Sequence, residues 1–82
     1  MATESMKDEI RDYIRKTILQ DDKVAVTNNT PLISGGLIDS ISTLKLVDFL
    51  EKKYAIEFHP HEVDRENLDS IDIIAQFVSS KL

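Results

Sequence analysis

The chain has 82 residues, a formal charge of −5 from 15 acidic and 10 basic side chains, 41% hydrophobic residues and no cysteine. That composition excludes disulfide staples and zinc–thiolate sites, and its acidity disfavours a nucleic-acid partner, which needs clustered Lys and Arg. No apolar run approaches the roughly 18 residues of a membrane span, and "MATESMKDEI" lacks the apolar stretch of a signal peptide, so the expectation is a cytoplasmic protein without membrane insertion; nothing in the sequence demands more than a monomer.

Residues 1–82 read as a single small all-α domain. A chain this short buries only about 60–65% of its unfolded surface, so helix packing has to carry its stability. The first helix is expected to start at a cap between Thr3 and Ser5. Met6, Ile10, Tyr13, Ile14 and Thr17 then form one stripe at helical period, with Ile18 at its edge and charged residues elsewhere. From about Gln20 to Ile38 no period holds. Asn28-Asn29, Pro31 and Gly35-Gly36 are turn signals, and a loop this long in a compact domain is usually functional, disordered, or a helix that the pattern fails to show. Val24, Val26, Leu32, Ile33 and Leu37 predict that this loop packs back onto the helices. A strand at Val24–Val26 is rejected for want of a partner strand.

A second helix is expected from Ser40 to about Tyr54. The segment "AIEFHPHEVDREN" reads as a loop followed by a short third helix, with Pro60 suited to a first helical position. The last helix begins near Asp69-Ser70 and runs to the end, with Ile71, Ile74, Ala75, Val78 and Leu82 as its stripe and Ile73 and Phe77 on its flank. The result is a small four-helix bundle of three longer helices and one short one. Residues 57–72 carry Glu57, Glu62, Asp64, Glu66, Asp69 and Asp72 against Arg65 alone, so the negative charge gathers after the second helix.

The triplet Asp-Ser-Ile occurs twice, at 39–41 and 69–71. Asp and Ser both cap helices, because a side-chain oxygen accepts a hydrogen bond from an otherwise unpaired backbone N–H. For Ser70, between a breaker and an apolar-periodic helix, capping explains everything. Ser40 sits in different surroundings. At about 100° per residue, Thr43, Leu46, Val47, Leu50 and Tyr54 turn inward as one arc. Ile41 and Leu44 fall outside it, beside Lys45, Asp48 and Lys52. An accessible hydroxyl therefore stands at a positively polarised helix end next to an apolar patch, an arrangement that favours a phosphate ester on that hydroxyl.

"GLIDSISTLKLVDFLEKKY" closely resembles the acyl carrier protein family, whose mark is Asp-Ser-Leu opening the second of four helices; here the third residue is Ile41. The order of first helix, long loop, Asp-Ser motif, short third helix and closing apolar helix extends the resemblance over most of the chain. It implies that Ser40 is esterified with 4′-phosphopantetheine taken from coenzyme A by a phosphopantetheinyl transferase. It also implies that Asp39 helps that transferase recognise its target. The carried acyl, aminoacyl or aryl group would be a thioester on an imported thiol, in keeping with a chain that has none of its own. Expected partners are the transferase, a loading ligase, and synthase or transferase enzymes that meet Ile41, Leu44, Lys45 and Asp48. Family members serving fatty-acid synthesis usually have a strongly acidic second helix. Here Lys45, Lys52 and Lys53 offset Asp39, Asp48 and Glu51, which favours a specialised lipid, polyketide, peptide-type or aminoacyl pathway.

Three other readings stand beside this one. An enzyme would use Ser40 as nucleophile with His59 or His61 as base, but there is no Gly-x-Ser-x-Gly elbow and little room for a pocket with an oxyanion hole. A metal site at "HPHE" with Glu62 or Asp64 is disfavoured because Pro60 breaks the helical spacing of the two histidines. The expectation is therefore a non-catalytic chain without a metal. A cofactor-free helical interaction module would share the fold and the apolar patch, and lack only the modification.

Overall fold

In the computed structural model, which describes residues 2–21 and 25–82, the chain forms four α-helices and no strand among those residues. Helix α1 spans Ala2–Tyr13 and continues through one π-turn, Ile14–Ile18. It starts ahead of Thr3, so Thr3 to Ser5 are helical positions and not the expected caps. Met6, Ile10 and Ile14 recur every fourth residue and are buried. In the π-turn the Leu19 N–H reaches back five residues to the Ile14 carbonyl at 2.8 Å. The wider turn shifts the register of the stripe. Thr17, expected on the buried face, is exposed, and Ile18 is half-buried in its stead.

Helix α2 spans Ser40–Tyr54 and ends at Ala55, whose left-handed φ of 54° lets its N–H close on the Glu51 carbonyl. Thr43, Leu46, Val47 and Leu50 are buried along it, as the wheel predicts. Thr43 tolerates the core because its hydroxyl donates to the Asp39 carbonyl at 2.7 Å.

The single short third helix of the sequence reading is two elements. Pro60–Glu62 is a 3₁₀ turn with Pro60 at its first position, and α3 is one α-turn, Arg65–Leu68. They are separate because Asp64 turns back to extended geometry and caps α3, its carboxylate accepting from the Asn67 N–H at 3.1 Å. Helix α4 spans Ile71–Lys81 and buries Ile71, Ile74, Ala75 and Val78. Leu82, placed on that stripe from its period, lies just past the helix and is 71% exposed.

Helix α1 packs along α4, α3 packs on α4, and α2 meets the π-turn. One buried cluster links all four helices with Val26, Leu32 and Ile38 of the long connection and with Phe58. The connection does fold back onto the core, as the apolar residues within it predict; Val24 lies outside the described residues. Tyr13 and Phe49 stack with centroids 4.0 Å apart, and the Tyr13 hydroxyl donates to the Lys45 carbonyl at 3.1 Å, joining α1 to α2. The Lys53–Glu9 pair, 2.8 Å, spans the same two helices, and Lys7–Asp72, also 2.8 Å, ties α1 to α4. Lys81 reaches Glu62 at 2.8 Å and holds the end of α4 to the 3₁₀ turn. No helix among the described residues is long and apolar enough to cross a membrane.

Candidate functional site

The long connection reaches Ser40 through a tight turn closed on one carbonyl. Leu32, fully buried, accepts from the Leu37 and Ile38 N–H groups at 2.9 and 3.0 Å. Gly36 takes a φ of 79°, which a side chain would strain, and a Cβ at Gly35 would run into the Pro31 carbonyl oxygen. The two glycines that mark the lead-in are thus both demanded by this turn. Ile38 then drops into the core and fixes where α2 begins.

The two Asp-Ser-Ile triplets divide their labour in opposite ways. At 69–71 the serine is the cap: Ser70 Oγ accepts from the Ile73 N–H at 3.2 Å, and the residue is buried. At 39–41 the aspartate is the cap. Asp39 Oδ1 accepts from the Ser42 N–H at 2.8 Å while its main-chain carbonyl accepts from the Thr43 N–H at 2.9 Å. The Ser42 N–H holds the Asp39 carboxyl below the usual carboxylate range. Ser40 is consequently left at the first helical position, exposed, with its hydroxyl bonded to none of the described residues.

Beside Ser40 lies an open groove of about 470 Å³, lined on one side by Ile33, Ile38, Thr43 and Leu44 and on the other by Val63, Asp64 and Arg65. Its apolar lining comes mostly from the connection and α2, with Val63 added from the segment before α3, and Asp64 and Arg65 at the start of α3 bring charge to it. Ile41 is 69% exposed and Leu44 61%, the positions the wheel assigns to the outer face. Lys45 and Asp48 are exposed on the same helix, and Asp48 is engaged by Lys52 at 3.1 Å. The predicted docking residues Ile41, Leu44, Lys45 and Asp48 therefore all reach the surface of α2, and Asp39 and Ser40 meet at its amino end.

The histidines lie elsewhere. His59 and His61 are exposed and stack on each other with centroids 5.8 Å apart, and neither lines the groove at Ser40. The His59 N–H is bound by Glu62 Oε1 at 2.8 Å, which commits that carboxylate to the 3₁₀ turn and to Lys81. Among the described residues no group of three or more His, Cys, Asp and Glu could hold a metal ion.

Sequence reasoning missed Asp69, Arg65 and Val63. The signal for Asp69 was the duplicated triplet itself: once Ser70 accounts for the cap, the aspartate before it lacks an assigned task. Arg65 stands as the lone cation of an acidic segment, which marks it without saying where it points.

Compared with known proteins, the chain matches no family model and no curated sequence.

Proposed function

We propose that the protein is an acyl carrier protein, a four-helix bundle that carries acyl, aminoacyl or aryl groups on 4′-phosphopantetheine attached to Ser40. One observation carries the reading: Asp39 performs the capping at α2, which leaves the Ser40 hydroxyl exposed and uncommitted at the helix amino end. Its resemblance in sequence to the carrier family supplies the identity of the modification.

The residues present suit the group. A phosphodiester on Ser40 Oγ would lie in the favourable field of the α2 amino terminus, with the cationic residue Arg65 lining the same groove. The apolar wall of Ile33, Ile38 and Leu44 offers a surface along which an attached arm can rest out of water. When bound, 4′-phosphopantetheine supplies the thiol that a chain without cysteine lacks. This chain's own contribution is presentation. Ser40 offers the oxygen, Asp39 holds the helix start and faces the transferase, and Ile41 and Leu44 give partners an apolar anchor. Among the described residues no side chain is hydrogen-bonded to Ser40 Oγ, so the base that takes its proton is assigned to the transferase.

The charges on α2 favour a specialised pathway. Asp48 is paired with Lys52, and Lys53 with Glu9, so α2 presents no continuous acidic strip to a basic enzyme surface. Partners then depend on shape and apolar contact more than on electrostatic steering.

Thiol titration tests the reading in a cysteine-free chain. Incubation with coenzyme A and a broad-specificity phosphopantetheinyl transferase, followed by removal of free coenzyme A, is expected to yield one reactive thiol per chain. A chain that gains no thiol would instead be the cofactor-free interaction module that the Ile41–Leu44 patch also fits.

A further inference from the structure

The carboxylate of Asp69, at the end of α3, accepts three hydrogen bonds from the long connection, which leads on to Ser40. Its Oδ1 accepts from the Ile33 and Ser34 N–H groups, both at 2.9 Å, and its Oδ2 accepts from the Ser34 hydroxyl at 2.8 Å. Its main-chain carbonyl takes the Leu32 N–H at 2.6 Å. Asp69 itself follows α3 directly, so it is fixed to the Val63–Arg65 wall, while the groups it binds belong to the Ile33–Ile38 wall. From Ile33 the tight turn on the Leu32 carbonyl leads through Ile38 to the Asp39 cap and Ser40.

We propose that Asp69 is a positioning residue for Ser40: its carboxylate latches residues 33 and 34 to the α3–α4 junction, and so sets the groove and the start of α2 that a partner must recognise. The inference rests on the reading of Ser40 as the attachment site. Removal of the latch leaves the Leu32 N–H on the Asp69 carbonyl, which a substitution of the side chain retains, and it leaves the buried side chains of Leu32 and Ile38 in the core. The fold therefore survives while the turn gains alternative conformations. A partner that binds one of them loses affinity in proportion to the population that remains competent.

Amide hydrogen exchange and transfer kinetics, measured on wild type, Asp69→Ala and Asp69→Asn, test the inference. In Asp69→Ala the amides of Gly36, Leu37 and Ile38 are expected to exchange faster, while those of Leu46 to Leu50 in α2 keep wild-type protection. The KM for the carrier in the transferase reaction rises by roughly tenfold with kcat little changed, as for a turn only about a tenth of which is in the competent state. Asp69→Asn keeps an oxygen that can accept from both backbone N–H groups, and restores most of the protection and most of the KM. Unchanged exchange at residues 36–38 in Asp69→Ala overturns the latch, as does faster exchange with an unchanged KM. A wild-type chain that accepts no phosphopantetheine refutes the Ser40 reading and the positioning role with it, whereas the exchange arm then still decides whether the latch exists.

Discussion

The exchanged roles of the two triplets make an unequal prediction for two substitutions that look equivalent on paper. Ser70→Ala removes the oxygen that accepts the Ile73 N–H at the start of α4. Loss of a serine cap costs about 0.5–2 kcal/mol. The bond is long, 3.2 Å, and Ile73 is 36% exposed, so water can serve its N–H in part and the cost falls near the middle of that range. About 1 kcal/mol lowers the Tm of a domain of this size by about 4–8 °C. Ser40→Ala removes an exposed hydroxyl that makes no hydrogen bond with a described residue. Its effect stays within about 0.5 kcal/mol, because Asp39 still caps α2. Thermal melts followed by circular dichroism on the two variants and wild type read the difference directly. A Ser40→Ala melt that falls further than that of Ser70→Ala refutes the assignment of caps, and with it the claim that Ser40 is structurally free.

Leu50 is fully buried, so Leu50→Ala costs about 2–5 kcal/mol by urea unfolding; a midpoint equal to wild type contradicts the core. Ile41→Ala, at an exposed position, changes stability by less than about 1 kcal/mol yet slows phosphopantetheinyl transfer. If stability falls strongly and transfer per folded molecule does not, Ile41 is core and the docking face lies elsewhere. The carboxyls of Asp69 and Asp39 are held below their ordinary range by the N–H groups of Ser34 and Ser42 respectively, so both contribute stability that is complete above the unfolded value. It is lost as pH falls below about 4 through the folded values. Urea midpoints measured across that window fall less steeply for Asp69→Asn than for wild type, and parallel curves contradict the latch. Because Asp48 and Lys52 are paired on α2, raising salt slows transfer only modestly, and a steep salt dependence in the transfer rate contradicts the mixed-charge face.

What the sequence discloses here follows from how local each determinant is. The inward arc of α2 and the outward Ile41 and Leu44 depend only on helical period, and the helix that forms has that period. Thr17 was misplaced because a π-turn is set by how Ile18 and Leu19 find the core, and no residue type announces it. The third helix divided because Asp64 offers a cap in the middle of a segment whose composition reads as continuous. At the site, Asp39 and Ser40 are neighbours in sequence and were legible together. Asp69 binds groups 35 and 36 residues earlier in the chain, and Arg65 and Ser40 line one groove from different elements. Such long-range pairings are a property of packing, and neither propensity nor period encodes them.

The central claim is that Ser40 alone among the two matching serines carries the modification, and intact mass spectrometry tests it most directly. Wild type, Ser40→Ala and Ser70→Ala are each treated with coenzyme A and transferase under conditions where all three are folded. The account predicts the added mass of one phosphopantetheine on wild type and on Ser70→Ala, and none on Ser40→Ala. An added mass that persists in Ser40→Ala, or its absence from wild type, contradicts it.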